Sequence, residues 1–184
     1  MRTTLAWTLT AAAATASTAA LARSETSGAA TDEAVAPAGA ALIDDIAHWR
    51  ERTWYWQRLT STRRSPTRYL ERRSDSLEVH QDLLRLWKDR ALRARARALQ
   101  PPHHQNWLCI HRYEGAWNAQ TGNGFYGGLQ MDLTFQRHYG AWLLKKKGPA
   151  HRWTPIEQIW VAERGRRVQG WYPWPNASRI CGLI

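Results

Sequence analysis

The sequence predicts a mainly helical α+β protein: a basic helical hairpin followed by a smaller, turn-rich domain. Apolar residues recur at helical spacing through residues 42–99. A second helical signal opens at Thr154-Pro155, a capping residue followed by proline at the first helical position. Between them the run TGNGFYGG, residues 121–128, breaks helix and suits a β-hairpin or an irregular loop.

The chain opens on Arg2, continues through an Ala-rich apolar run, and reaches Ala20-Leu21-Ala22 just before Arg23. This pattern predicts a secretory signal peptide over 1–22, or a membrane anchor if it stays uncleaved. Residues 23–41 are small and polar with Pro and Gly, a composition expected of a flexible linker. Over 42–102 two helices are expected. Leu42, Ile46, Trp49, Thr53, Trp56 and Thr60 share one face of the first. Leu77, His80, Leu84, Trp87, Ala91, Ala94 and Ala98 share one face of the second. Pro66 marks the turn between them, and Pro101-Pro102 ends the second.

The 184 residues carry 26 Lys and Arg against 15 Asp and Glu, a net charge of +11. Residues 48–99 alone hold 14 basic and 6 acidic side chains. Such a balance favours polyanionic surroundings, although a charged helix face can also be no more than a solvated one. Export argues against nucleic acid. There are 12 Trp and only 2 Phe. Trp rings fill cores, and their flat apolar faces also suit sugars.

Residues 103–184 form the second domain. NWLCIHRYEG is expected to be a short helix ending at Gly115. LQMDLTFQRHYG and TPIEQIWVAERGRRVQG both suit helices, and WYPWPNASRICGLI suits an irregular tail whose aromatic residues fold back. The carboxylates here are Glu114, Asp132, Glu157 and Glu163. Asp132 stands where a helix cap is expected. Glu157 falls in the first turn of a helix, where negative charge is favourable. Glu163 suits a surface or supporting role. Glu114 is left without a structural task. Burial among aromatic rings would keep it protonated, ready to donate to a glycosidic oxygen.

Other chemistries lack their residues. The histidines have no zinc-ligand spacing, the glycines form no phosphate loop, and Ser178 has no nucleophile elbow around it. Cys109 and Cys181 are the only cysteines, and an oxidising compartment would let them pair. No cofactor or metal is implied.

EGAWNAQTGNGFYGGLQ followed by EQIWVAERGRRVQGWYPWP resembles the transglycosylase-like domain of resuscitation-promoting factors, over about 107–181. The resemblance implies a lysozyme-like fold that cleaves peptidoglycan glycan strands between N-acetylmuramic acid and N-acetylglucosamine. It places the catalytic glutamate on Glu114 and the sugar-binding cleft on Trp117, Asn123, Tyr126 and Gln130. It places the family's Trp-Pro pair on Trp174-Pro175. The family's cysteines stand just before the glutamate and just after Trp-Pro, where this chain has Tyr113 and Ala177. Cys109 and Cys181 each lie four residues away, one helical turn, so the resemblance implies a disulfide moved by one turn at both ends. The family's Ser-Thr-Trp becomes Leu133-Thr134-Phe135, which leaves Thr134 as the hydroxyl candidate.

The expectation is thus a secreted, monomeric cell-wall enzyme with one catalytic carboxyl. It would act by lytic transglycosylation or by simple hydrolysis. Peptidoglycan would be its partner, with anionic wall polymers on the Arg-rich hairpin. A non-catalytic glycan-binding protein is the alternative.

Overall fold

A computed structural model describes residues 30–184. The signal-peptide reading of 1–22 and the first part of the linker reading lie outside the described residues. Helix α1 spans Ala30–Leu59 and α2 spans Leu77–Ala98. α1 therefore takes in residues 30–41, which composition suggests are linker. Small residues build no core, yet Ala loses no side-chain entropy in a helix and extends one readily. No helix among the described residues is long and apolar enough to cross a membrane.

Both expected helices form and pack together, but not as the expected hairpin: they run in the same direction. Thr53 on α1 donates to the Trp87 carbonyl on α2, and four residues on, Gln57 faces Arg90 and Arg93 across a small hollow. Residues 60–76 make the return journey. Ser65 bonds back to Gln57 and Trp54, and Glu71 further along pairs with Arg50 and accepts from the Trp87 indole. A connection of two to five residues would have forced an antiparallel pair, whereas this one is long enough to go back to the start. Ile46, Leu83 and Trp87 form the buried seam.

The second domain contains α3 (His104–Glu114), α4 (Leu133–Lys147), α5 (Pro155–Gln169) and α6 (Pro175–Ile180). Its only sheet among the described residues pairs β1 (Phe125–Tyr126) with β2 (Met131–Asp132), antiparallel, Tyr126 opposite Met131. The expected caps are in place. Asp132 Oδ1 accepts from Phe135 N at 2.6 Å, and Thr154 caps α5. The reciprocal partner of Thr154 is Glu157, which also pairs with Lys147. Two expectations shift. LQMD is not helical, since α4 begins only at Leu133. The supposed irregular tail contains α6, started by Pro175 with its preset φ.

The main core joins Trp107 and Ile110 of α3 to Leu143, Ile159, Val161 and Trp174. α4 and α5 approach closely because Gly165 offers no side chain. A Cβ there would lie 2.2 Å from the Phe135 ring. Every Trp among the described residues is at least partly buried. Cys109 and Cys181 are bridged, fastening α3 to the residue after α6 across a sequence separation of 72. Closing a loop of that size removes entropy from the unfolded chain worth about 4 kcal/mol in the chain-entropy model.

The helical pair docks on this core end-on. Leu59 and Ala98, the last residues of α1 and α2, are both fully buried in it. Two side chains of α5 satisfy the carbonyls left over at these helix ends. Trp160 Nε1 donates to the Ala98 carbonyl at 2.8 Å. Arg164 donates to the carbonyls of Leu59 and Tyr139 at 2.7 and 2.8 Å. Burial, then the charges of Arg167 and Arg58, lower its pKa to about 10.

Candidate active site

Glu114 is the last residue of α3, and Gly115 ends the helix at φ +151°, a conformation open to glycine. The carboxyl is half-buried. It has no hydrogen bond or ion pair among the described residues, and burial raises its pKa above the usual carboxylate value. This is the condition of an acid held back from ionising.

The glycine-rich loop closes over the same helix end. A Cβ on Gly115 would sit 3.6 Å from Gln130 Nε2, which places the Gln130 amide beside the residue after Glu114. Gln130 donates to the Gly127 carbonyl at 2.9 Å and holds φ at +45°, a strained value for a side-chain-bearing residue. Trp117 stacks on His111, centroids 3.9 Å apart, and His111 stands three residues before Glu114 on α3. Asn123 accepts from Phe125 N and shapes the loop tip, while the Tyr126 ring lies 5.7 Å from His151. Trp117, Tyr126 and Gln130 are thus held in the folded loop and Asn123 on its exposed rim. Thr134 is exposed in the first turn of α4 and lines a separate hollow of about 360 Å³ with His138, Tyr139 and Gln169. Asp132 accepts from Phe135 N and so has the structural task of capping α4.

Two amides given no role from the sequence, Gln158 and Gln136, hold this arrangement together with Glu163. Gln158 is fully buried, accepts from Gly128 N at 2.8 Å and donates to the Trp117 carbonyl at 2.8 Å. Gln136, equally buried, ties the Met131 carbonyl to Ala150 N. Of the two roles expected of it, surface or support, Glu163 takes the supporting one. Its buried carboxylate accepts from the Trp107 indole and from Arg166 twice, at 2.8–3.1 Å, bracing α3 from below. The available signal was an uncharged amide inside an apolar helical stretch, at Gln136 and Gln158.

Gly127 and Gly128 let the loop sit this close. A Cβ on Gly127 would lie 2.4 Å from Gln158 Oε1. On Gly128 it would lie 2.6 Å from His111 Nδ1 and 2.7 Å from the Trp117 ring. Gly128→Ala is therefore expected to break the His111–Trp117 stack and cost about 1–3 kcal/mol, a typical overpacking penalty. Urea unfolding and the near-ultraviolet tryptophan signal would measure both.

A mainly helical domain with a two-stranded ribbon and a glutamate at the end of its first helix is a lysozyme-like arrangement. Residues 102–177 match the family model of the transglycosylase-like domain. Resuscitation-promoting factor Rpf of Micrococcus luteus is 41% identical over 69 residues, 38% of this chain and 29% of that protein. Rpf1 of Corynebacterium glutamicum is 41% identical over 69 residues, 38% of this chain and 35% of that protein. RpfE of Mycobacterium tuberculosis is 39% identical over 79 residues, 42% and 41% of the two chains. The similarity thus spans less than half the length of each of these relatives.

Proposed function

We propose that this chain is an exported enzyme of cell-wall remodelling that cuts the glycan strands of peptidoglycan, with Glu114 as its single catalytic carboxyl. The observation that carries the proposal is the state of that group: half-buried, raised in pKa by burial, and without a charged partner among the described residues. The match of residues 102–177 to the transglycosylase-like domain supports the choice of substrate.

Protonated Glu114 gives its proton to the glycosidic oxygen as the bond to the anomeric carbon breaks. Positive charge develops on the sugar left behind. Its own N-acetyl group can shield that charge, so a second carboxylate is not required. The sugar's C6 hydroxyl then attacks the anomeric carbon. The Glu114 carboxylate takes the hydroxyl proton, leaving a 1,6-anhydro end and restoring the acid. Trp117, Tyr126 and Gln130 line the approach.

Mass spectrometry of products from purified sacculi tests this. Ends lighter by one water are expected. Hydrated reducing ends would mean hydrolysis instead. Binding to sacculi with no soluble product would establish the glycan-binding alternative.

A further inference from the structure

The parallel sense of α1 and α2 creates a hollow that a hairpin would not have. It encloses about 170 Å³ and is lined by Gln57, Thr60, Thr62, Arg90, Arg93 and Arg97. In an antiparallel pair, Thr60 and Thr62 would meet the first turn of α2 rather than its arginines. No carboxylate lines the hollow. Arg93 pairs with Asp89, whereas Arg90 and Arg97 have no carboxylate partner among the described residues. Arg90 Nη1 is buried with no hydrogen-bond partner. Burial lowers the Arg90 pKa, and the like charges of Arg68 and Arg93 add to this against the opposing charge of Glu71. The carbonyl ends of α1 and α2 lie nearby, but α5 already caps them through Arg164 and Trp160.

Guanidinium forks around one small space suit a tetrahedral oxyanion, while the hydroxyls are already engaged, Thr60 with the Trp56 carbonyl and with Thr62. The hollow also has a continuation. Thr62 is shared with a groove of about 640 Å³ lined by Trp54, Tyr55, Arg58, Arg64, Trp142 and one carboxylate, Glu51. Its rings are already covered by cations: Arg64 lies 3.4 Å from the Trp54 ring centre, Arg58 4.9 Å from Trp142, and Lys146 5.5 Å from Tyr55. That leaves charge rather than open ring faces for a ligand, which disfavours stacked bases and favours a flexible chain of phosphates.

We infer that Arg90, Arg93 and Arg97 form a phosphate-binding pocket for an anionic polyol-phosphate polymer, whose chain continues along the Arg58–Arg64 groove. The choice of a wall-type polymer rests on the proposed wall-acting function, but the pocket itself does not. The test is calorimetric titration of the full chain with poly(glycerol phosphate), with inorganic phosphate, and with single-stranded DNA of equal phosphate number. The polymer is expected to bind, and inorganic phosphate to compete with it. Arg97→Gln should weaken polymer binding about tenfold, the loss of one charged hydrogen-bonding group. Arg95→Gln removes the same charge from the same helix outside the hollow and should change it less than about twofold. Both side chains are exposed, so both variants should melt with the wild type. Equal losses in the two variants would overturn the pocket. Tighter binding of DNA, or binding of inorganic phosphate alone, would overturn the polymer. Glycan cleavage is measured separately, so its failure leaves this result legible.

Discussion

Glu114→Gln is expected to lower release of soluble fragments from sacculi by about a thousandfold, within the range for losing a general acid. Glutamine keeps the shape and volume of the side chain but can neither give nor take the proton. Binding to sacculi should persist, because the loop contacts of Trp117, Tyr126 and Gln130 do not pass through this carboxyl. The stability effect has a definite sign. Burial raises the pKa of Glu114 in the folded state, so folding favours its protonated form. That contribution is complete below the ordinary carboxylate pKa and is lost as pH rises through the raised value. The variant should therefore melt no lower than the wild type at neutral pH. The alkaline limb of the wild-type pH–rate profile should lie above the ordinary glutamate range and be missing from any residual activity of the variant. Undiminished activity in Glu114→Gln would end the case for acid catalysis.

Glu163→Ala is expected to cost about 3–5 kcal/mol of unfolding free energy, as breaking a buried ion pair from one side does. It would leave the Trp107 indole N–H buried without its acceptor and Arg166 without its bidentate partner. Burial alone would push this carboxyl upward in pKa. Hydrogen bonds from Arg166 and Trp107, with the charges of Arg166 and His103, outweigh it and hold the group below the usual value. The stability it contributes is thus present above the unfolded carboxylate pKa and is lost as pH falls through the lowered one. Urea melts from neutral to acid pH would show the gap between variant and wild type closing in acid. A loss under about 1 kcal/mol at neutral pH would mean that α3 does not depend on this brace.

Local signals were legible in the chain itself. Asp132 and Thr154 as caps, Gly115 as a helix end, Pro155 as a helix start and the three-four periodicity through 42–98 each concern residues within a turn or two of one another. Glu114 stood out for a related reason: the other acids of its domain had visible structural tasks. Yet the acidity of Glu114 required the fold, since only packing around it removes water. Gln158 reaches Gly128 across 30 positions and Trp117 across 41, and Trp160 reaches Ala98 across 62. Such partners leave no periodic trace in either segment.

The direction of α2 is the clearest division between the two levels. Sequence alone determined that two amphipathic helices would bury their faces against each other, because that follows from which side chains are apolar. It did not determine whether they run parallel or antiparallel, because a helix face is compatible with both. The choice was made by the return path of residues 60–76 and by α5, whose Trp160 and Arg164 take up the carbonyl ends of both helices together.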